Sequence, residues 1–137
     1  MEISVETTIN AGLESVWSSW TTPNDIMKWN FASDDWCCPN AENDFKVGGR
    51  FNYRMEAKDG SAGFDFEGKY TSIKEKEHIE YMLDDNRRVK IIFSESKHGI
   101  RVLETFEAED MHGAEQQKQG WQSILNNFKK RVEATSN

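Results

Sequence analysis

The first residues of the chain alternate strictly. Ile3, Val5, Thr7 and Ile9 fall on one side and Glu2, Ser4, Glu6 and Thr8 on the other, the period-two pattern of a half-buried strand from Glu2 to Ile9. The rhythm then changes. Leu13, Val16, Trp17 and Trp20 recur at spacings of three and four, which places them on one face of a short helix over residues 11–20, with Asn10 as its expected N-cap. Thr22 and Pro23 predict a second helix start, because proline's fixed φ and missing N–H suit the first helical position; Ile26, Met27 and Trp29 are expected to face inward.

From Asn30 to Lys46 no period is visible. Pro39 and several Asn and Asp residues predict an irregular crossing segment, and its large aromatics, Phe31 and Trp36, imply that it packs over something. Gly48 and Gly49 then open a strand in which Phe51, Tyr53 and Met55 alternate with Arg50, Asn52 and Arg54. A turn at Ala57 to Gly60 leads to Phe64, Phe66, Gly68 and Tyr70, again alternating with charged residues, so the two strands form a hairpin. Ile79, Tyr81 and Leu83, then Val89, Ile91 and Phe93, then Ile100, Val102, Glu104 and Phe106 predict three more strands separated by turns. The sum is a meander of about six antiparallel strands.

The last periodic segment, from about Gly113 to Glu133, repeats apolar residues at Trp121, Leu125, Phe128 and Val132 and predicts one amphipathic helix about 30 Å long. Asp110 suits its N-terminal cap or dipole. Gly120 inside it costs about 1 kcal/mol relative to alanine and predicts a close approach to a strand or a ligand. A strand, two short helices, a run of antiparallel strands and one long helix make an α+β layout, in which the helix covers the apolar face of a curled sheet. The expectation is one domain over residues 1–137.

Composition sharpens this picture in one respect. The chain of 137 residues is ordinary in hydrophobic (36%) and charged (30%) content but holds 5 Trp, 3 Tyr and 8 Phe, so aromatic burial should dominate its energetics. A net charge of −7 without a basic stripe argues against nucleic acid and against an anionic membrane. No apolar run is long enough to span a bilayer and the start MEISVETTIN lacks the features of a secretory signal, so the expected location is the cytoplasm. The adjacent Cys37 and Cys38 read as reduced thiols, and with His78, His98 and His112 scattered, neither a metal nor another cofactor is expected. Oligomeric state, including a homodimer, is left open.

A curved sheet gripping a helix leaves a gap wherever facing side chains fail to interdigitate. The residues expected to line such a gap are Trp29, Trp36, Phe51, Tyr53, Phe64 and Phe66 from the first part of the chain, joined by Tyr81, Glu104, Trp121 and Leu125. Strand parity puts Glu104 among apolar neighbours, where a carboxylate must be paired or protonated. Two placements are open: inside the gap, or released by a bulge towards solvent or towards Arg50 or Arg54. Asp34 and Asp35 point apart on an extended chain and make poor acid and base partners. Gly48 and Gly49 read as a bend or bulge into a strand, since a phosphate cradle needs a following helix. No nucleophile and base arrangement is recognisable, so no catalytic residue is assigned.

The residues also resemble a known family. DFKVGGRFNYRM from Asp44 to Met55 is the most specific part, supported by Val5 to Trp17, FEGKY from Phe66 to Tyr70, ETF from Glu104 to Phe106 and GWQSILNNF from Gly120 to Phe128. In their order and spacing they resemble the START-like, helix-grip superfamily with its birch-pollen-allergen-like fold, and within it the bacterial-type single-domain homologues of the activator of the heat-shock protein 90 ATPase. That resemblance implies a helix-grip fold in a superfamily that carries lipids and other apolar molecules, and the aromatic excess on the concave positions makes non-catalytic binding of a small apolar or aromatic molecule the leading expectation. The resemblance also implies two alternatives: a cyclase- or hydrolase-like enzyme using the same cavity, and a protein-binding regulator of a chaperone ATPase.

Overall fold

In the computed structural model, which describes residues 1–135, the chain runs β1 (Glu2–Ile9), α1 (Leu13–Thr21), α2 (Pro23–Ile26), β2 (Trp36–Asn43), β3 (Arg50–Ala57), β4 (Gly63–Lys74), β5 (His78–Leu83), β6 (Arg88–Ser96), β7 (Gly99–Glu107) and α3 (Ala114–Thr135). All seven strands join one antiparallel sheet in the order β1-β7-β6-β5-β4-β3-β2. The sheet is a curled half-barrel with α3 as its long helix.

The seventh strand is β2, where the sequence predicts an irregular crossing. Its pairing with β3 shifts between Cys37 and Asn40, at Pro39. Proline donates no ladder hydrogen bond, so an edge strand with a bulge is where a sheet tolerates it. A second register shift falls in β4 between Tyr70 and Ser72. Each extra residue bends its strand and adds local twist, which helps the sheet to curl.

Two helix starts also differ from expectation. The N-cap of α1 is Gly12 rather than Asn10, and it makes no side-chain cap bond. Asn10 instead donates its backbone N–H to the Glu133 carboxylate at 2.8 Å, tying the end of β1 to α3. Asp110 lies outside α3, which begins at Ala114. Pro23 does open α2, with Ile26 fully buried behind it.

Gly48 and Gly49 bend the chain into β3. Gly48 has φ +87°, in the left-handed region that favours glycine, and a Cβ on Gly49 would lie 1.9 Å from the Asp44 carbonyl oxygen. The core fills the space between sheet and helices. Leu125, Phe128 and Val132 of α3 are fully buried, as are Ile9, Ile91 and Val102 on the sheet.

Candidate functional site

Apolar packing is incomplete towards the N-terminal half of α3. A cavity of about 810 Å³ lies there between the sheet and the helix, its walls mostly apolar and rich in aromatic side chains. Trp29 reaches it from the segment after α2, Tyr53 from β3, Phe64 and Phe66 from β4, Tyr81 from β5, Glu104 from β7 and Trp121 from α3. Phe64 is 49% exposed and Met111, another lining residue, 85% exposed, so the cavity opens to solvent between the start of β4 and the loop before α3.

Three residues expected at the cavity do not line it. Phe51 is buried beneath it, its ring 5.0 Å from that of Tyr53 and 4.8 Å from that of Tyr81, so it supports the walls from behind. Leu125 is fully buried in the core, because its place on α3 turns towards the sheet beyond the cavity. Trp36 lies on the edge strand, 6.0 Å from the Phe64 ring. Conversely, Trp20, Tyr70 and Arg87 line the cavity unforeseen. Trp20 and Tyr70 carried a signal, since both sit on predicted apolar faces; Arg87, in the β5–β6 turn, carried none.

The walls hold each other in place. The Trp121 ring stacks on Phe106 at 4.0 Å and 8°. Trp29 donates its indole N–H to the Ser19 carbonyl at 3.0 Å, which satisfies its polar edge. The hydroxyls of Tyr53 and Tyr70 lie 3.3 Å apart. At the mouth, Gln117 secures the loop before α3, donating to the backbone carbonyls of Glu109 (3.0 Å) and His112 (2.7 Å) and accepting from the Glu109 N–H (2.9 Å). The His112 and Glu109 side chains meet at 2.5 Å.

Glu104 faces inward, with 5% of its surface exposed. Register explains why. Ile79 stands opposite Ile91, Ile91 opposite Glu104 and Glu104 opposite Val5, so the acid completes a row of apolar residues across four strands. Neither arginine considered at the sequence level reaches it: Arg50 pairs with Asp84 at 2.7 Å and Arg54 with Glu56 at 2.9 Å. No hydrogen-bond partner for its carboxyl is found among the described residues. Desolvation alone raises its pKa from 4.5 to about 8. Tyr81, in the adjacent row, is pushed well above 10, first by burial and then by the neighbouring Glu104 charge. At neutral pH both groups hold their protons.

Gly120 also lines the cavity, and nothing lies within 4 Å of where its Cβ would stand. The expected close approach to a strand is absent; the glycine borders open space. Gly120→Ala should therefore stabilise the protein by about 1 kcal/mol through helix propensity, raising its melting temperature by a few degrees in a thermal scan. A lower melting temperature would show that the glycine is sterically required.

The thiols stay away from this chemistry. Cys38 is buried in β2, and burial pushes its pKa up to about 11, so it is not a reactive thiolate. Among the described residues no group of His, Cys, Asp and Glu is arranged to hold a metal, and no helix is long and apolar enough to cross a membrane.

A curled antiparallel sheet closed against one long helix is the helix-grip arrangement of START-like proteins. The chain belongs to the family described as activator of Hsp90 ATPase homolog 1-like protein, whose model matches residues 10–133. It is similar to the AHSA1-like protein of Aeromonas hydrophila, solved by NMR in solution, at 46% identity and a TM-score of 0.92 over 98% of this chain and 93% of that one. Chr148 of Cytophaga hutchinsonii, also solved in solution, is 44% identical with a TM-score of 0.84, over 97% of this chain and 92% of that one. Protein NE0264 of Nitrosomonas europaea shares the fold, with a TM-score of 0.84 at 15% identity over 98% of this chain and 95% of that one. No match is found among the curated proteins.

Proposed function

We propose that the protein binds a small apolar or aromatic molecule in the cavity between sheet and α3 and releases it unchanged. The observation that carries this reading is the cavity itself. At about 810 Å³ it falls inside the range typical of small-molecule sites, its walls are mostly apolar, and it reaches the surface beside Met111 and Phe64. An apolar ligand that fills a cavity of that size removes its apolar walls from water, which favours binding.

Titration with Nile red, read by its fluorescence, tests the reading: saturable binding at one site is expected, and no saturable enhancement would sink it. Trp121→Ala and Tyr53→Ala should each weaken that binding about tenfold or more, because aromatic walls supply much of the apolar contact in such sites. Trp121 is only half-buried, so its loss should cost about 2 kcal/mol of stability, less than a core aromatic would. Urea unfolding of the same variants separates the two effects.

A further inference from the structure

The cavity holds two polar groups that the protein leaves without a partner. Glu104 and the Tyr81 hydroxyl both line it, and no hydrogen bond to either side chain is found among the described residues, whereas the other two tyrosines there, Tyr53 and Tyr70, are joined to each other. A polar atom that faces an apolar cavity and has no protein partner is open to a ligand's polar atom, and such atoms are what fix orientation in sites of this kind. Their register places them together. Tyr81 stands opposite Val89 and Val89 opposite Phe106, one row along from the row of Ile91 and Glu104, so the two side chains project diagonally into the same space from β5 and β7. They are near enough for the Glu104 charge to act on the ionisation of Tyr81.

We propose that Glu104 and Tyr81 form a subsite for one acceptor oxygen, each donating a hydrogen bond to a carbonyl on an otherwise apolar aromatic ligand. The inference rests on the binding role proposed above and adds the ligand's polar chemistry. Both donors are available at neutral pH, since burial keeps the carboxyl and the phenol protonated. Pairing a protonated side-chain acid and a tyrosine on one oxygen is a known way for an apolar protein site to hold a carbonyl. A ligand amine is the weaker match: the cation would have to be desolvated along with the carboxylate, and a buried ion pair then roughly breaks even.

The charged groups facing this space are few. Arg87 lines it from the β5–β6 turn but is engaged by Asp85 at 2.7 Å, and Glu109 and His112 pair with each other at the mouth. From α3 the cavity receives Trp121 and Ile124, with Gln116 and Gln117 towards the opening. Glu104 is therefore the inward-facing group whose ionisation should govern carbonyl binding near pH 8.

The test uses fluorenone and fluorene, rigid aromatics that differ by one carbonyl, titrated against the full chain by quenching of tryptophan fluorescence. At pH 6.5 fluorenone should bind about tenfold more tightly than fluorene, and the preference should shrink several-fold by pH 9.5 as Glu104 loses its proton. Glu104→Gln, which keeps a donor, should retain the preference and lose its pH dependence; Glu104→Leu should reduce the preference several-fold while fluorene still binds. Tyr81→Phe should reduce it in part. Equal binding of the two probes, a preference undiminished in Glu104→Leu, or one that grows with pH, overturns the subsite but leaves the apolar-binding reading intact. If neither probe binds, that reading fails and the subsite fails with it.

Discussion

At pH 9 the Glu104→Gln variant should be more stable than the parent protein, by up to about 5 kcal/mol, whereas at pH 4.5 the two should nearly coincide. The sign follows from the direction of the shift. Burial raises the Glu104 pKa from 4.5 to about 8. Between those values the unfolded chain has released the proton while the folded protein still holds it, so stability falls as pH rises through this window and levels off above it. Each tenfold difference in proton affinity is worth about 1.4 kcal/mol, which sets the ceiling. Other groups act in the opposite sense: Glu133, whose carboxylate accepts the Asn10 N–H and is bonded by Lys129, is held below its usual range and loses stability as pH falls. The difference between parent and variant removes such shared terms. Urea unfolding at pH 4.5, 7 and 9 measures it, and a difference that does not change with pH would mean that water reaches the carboxyl freely.

Phe128→Ala should destabilise the protein by about 3–5 kcal/mol at any pH. The ring is fully buried and lies edge-on to two tryptophans, with centroids 4.8 Å from both Trp20 and Trp29. Those tryptophans also line the ligand cavity. Truncation therefore removes a large buried side chain and two aromatic contacts, and it leaves a void behind two cavity walls. A fall in the urea midpoint without a change in slope is the expected result. A cost under about 1 kcal/mol would show that the tryptophans collapse into the space and that the core tolerates the loss.

Much of the architecture was readable from period alone. Strands with one apolar face, such as β1 with Ile3, Val5 and Ile9, announce themselves because one side meets the core and the other meets water. β2 does not. Its burial pattern has no period-two rhythm, since the bulge at Pro39 spaces the inward residues Cys38 and Ala41 three apart, and an edge strand carries half its ladder unpaired. The site was legible in a different way. Parity identified Tyr53, Phe66 and Tyr81 as facing inward but did not separate walls from supports, which is why Phe51 and Leu125 read as lining residues and prove to be core. That distinction depends on how neighbouring side chains fill volume, which residue spacing does not encode. Glu104 shows the reverse: parity pointed inward, a bulge would have released it outward, and the unbroken register of β7 with β1 and β6 decided it.

The pairing of β1 with β7 also bears on how the protein reaches this state. Ser4 and Thr105, hydrogen-bonded to each other at 2.8 Å, are 101 residues apart in the chain. During synthesis β1 is made before the other strands and waits for β2 to β6 before its own neighbour, β7, emerges. The hairpins of β3 to β7 can zip locally as they appear, but the inward face of β1 stays uncovered until β7 and α3 arrive. Folding should therefore complete only once β7 and α3 are available, with the slow phase expected of long-range strand pairing.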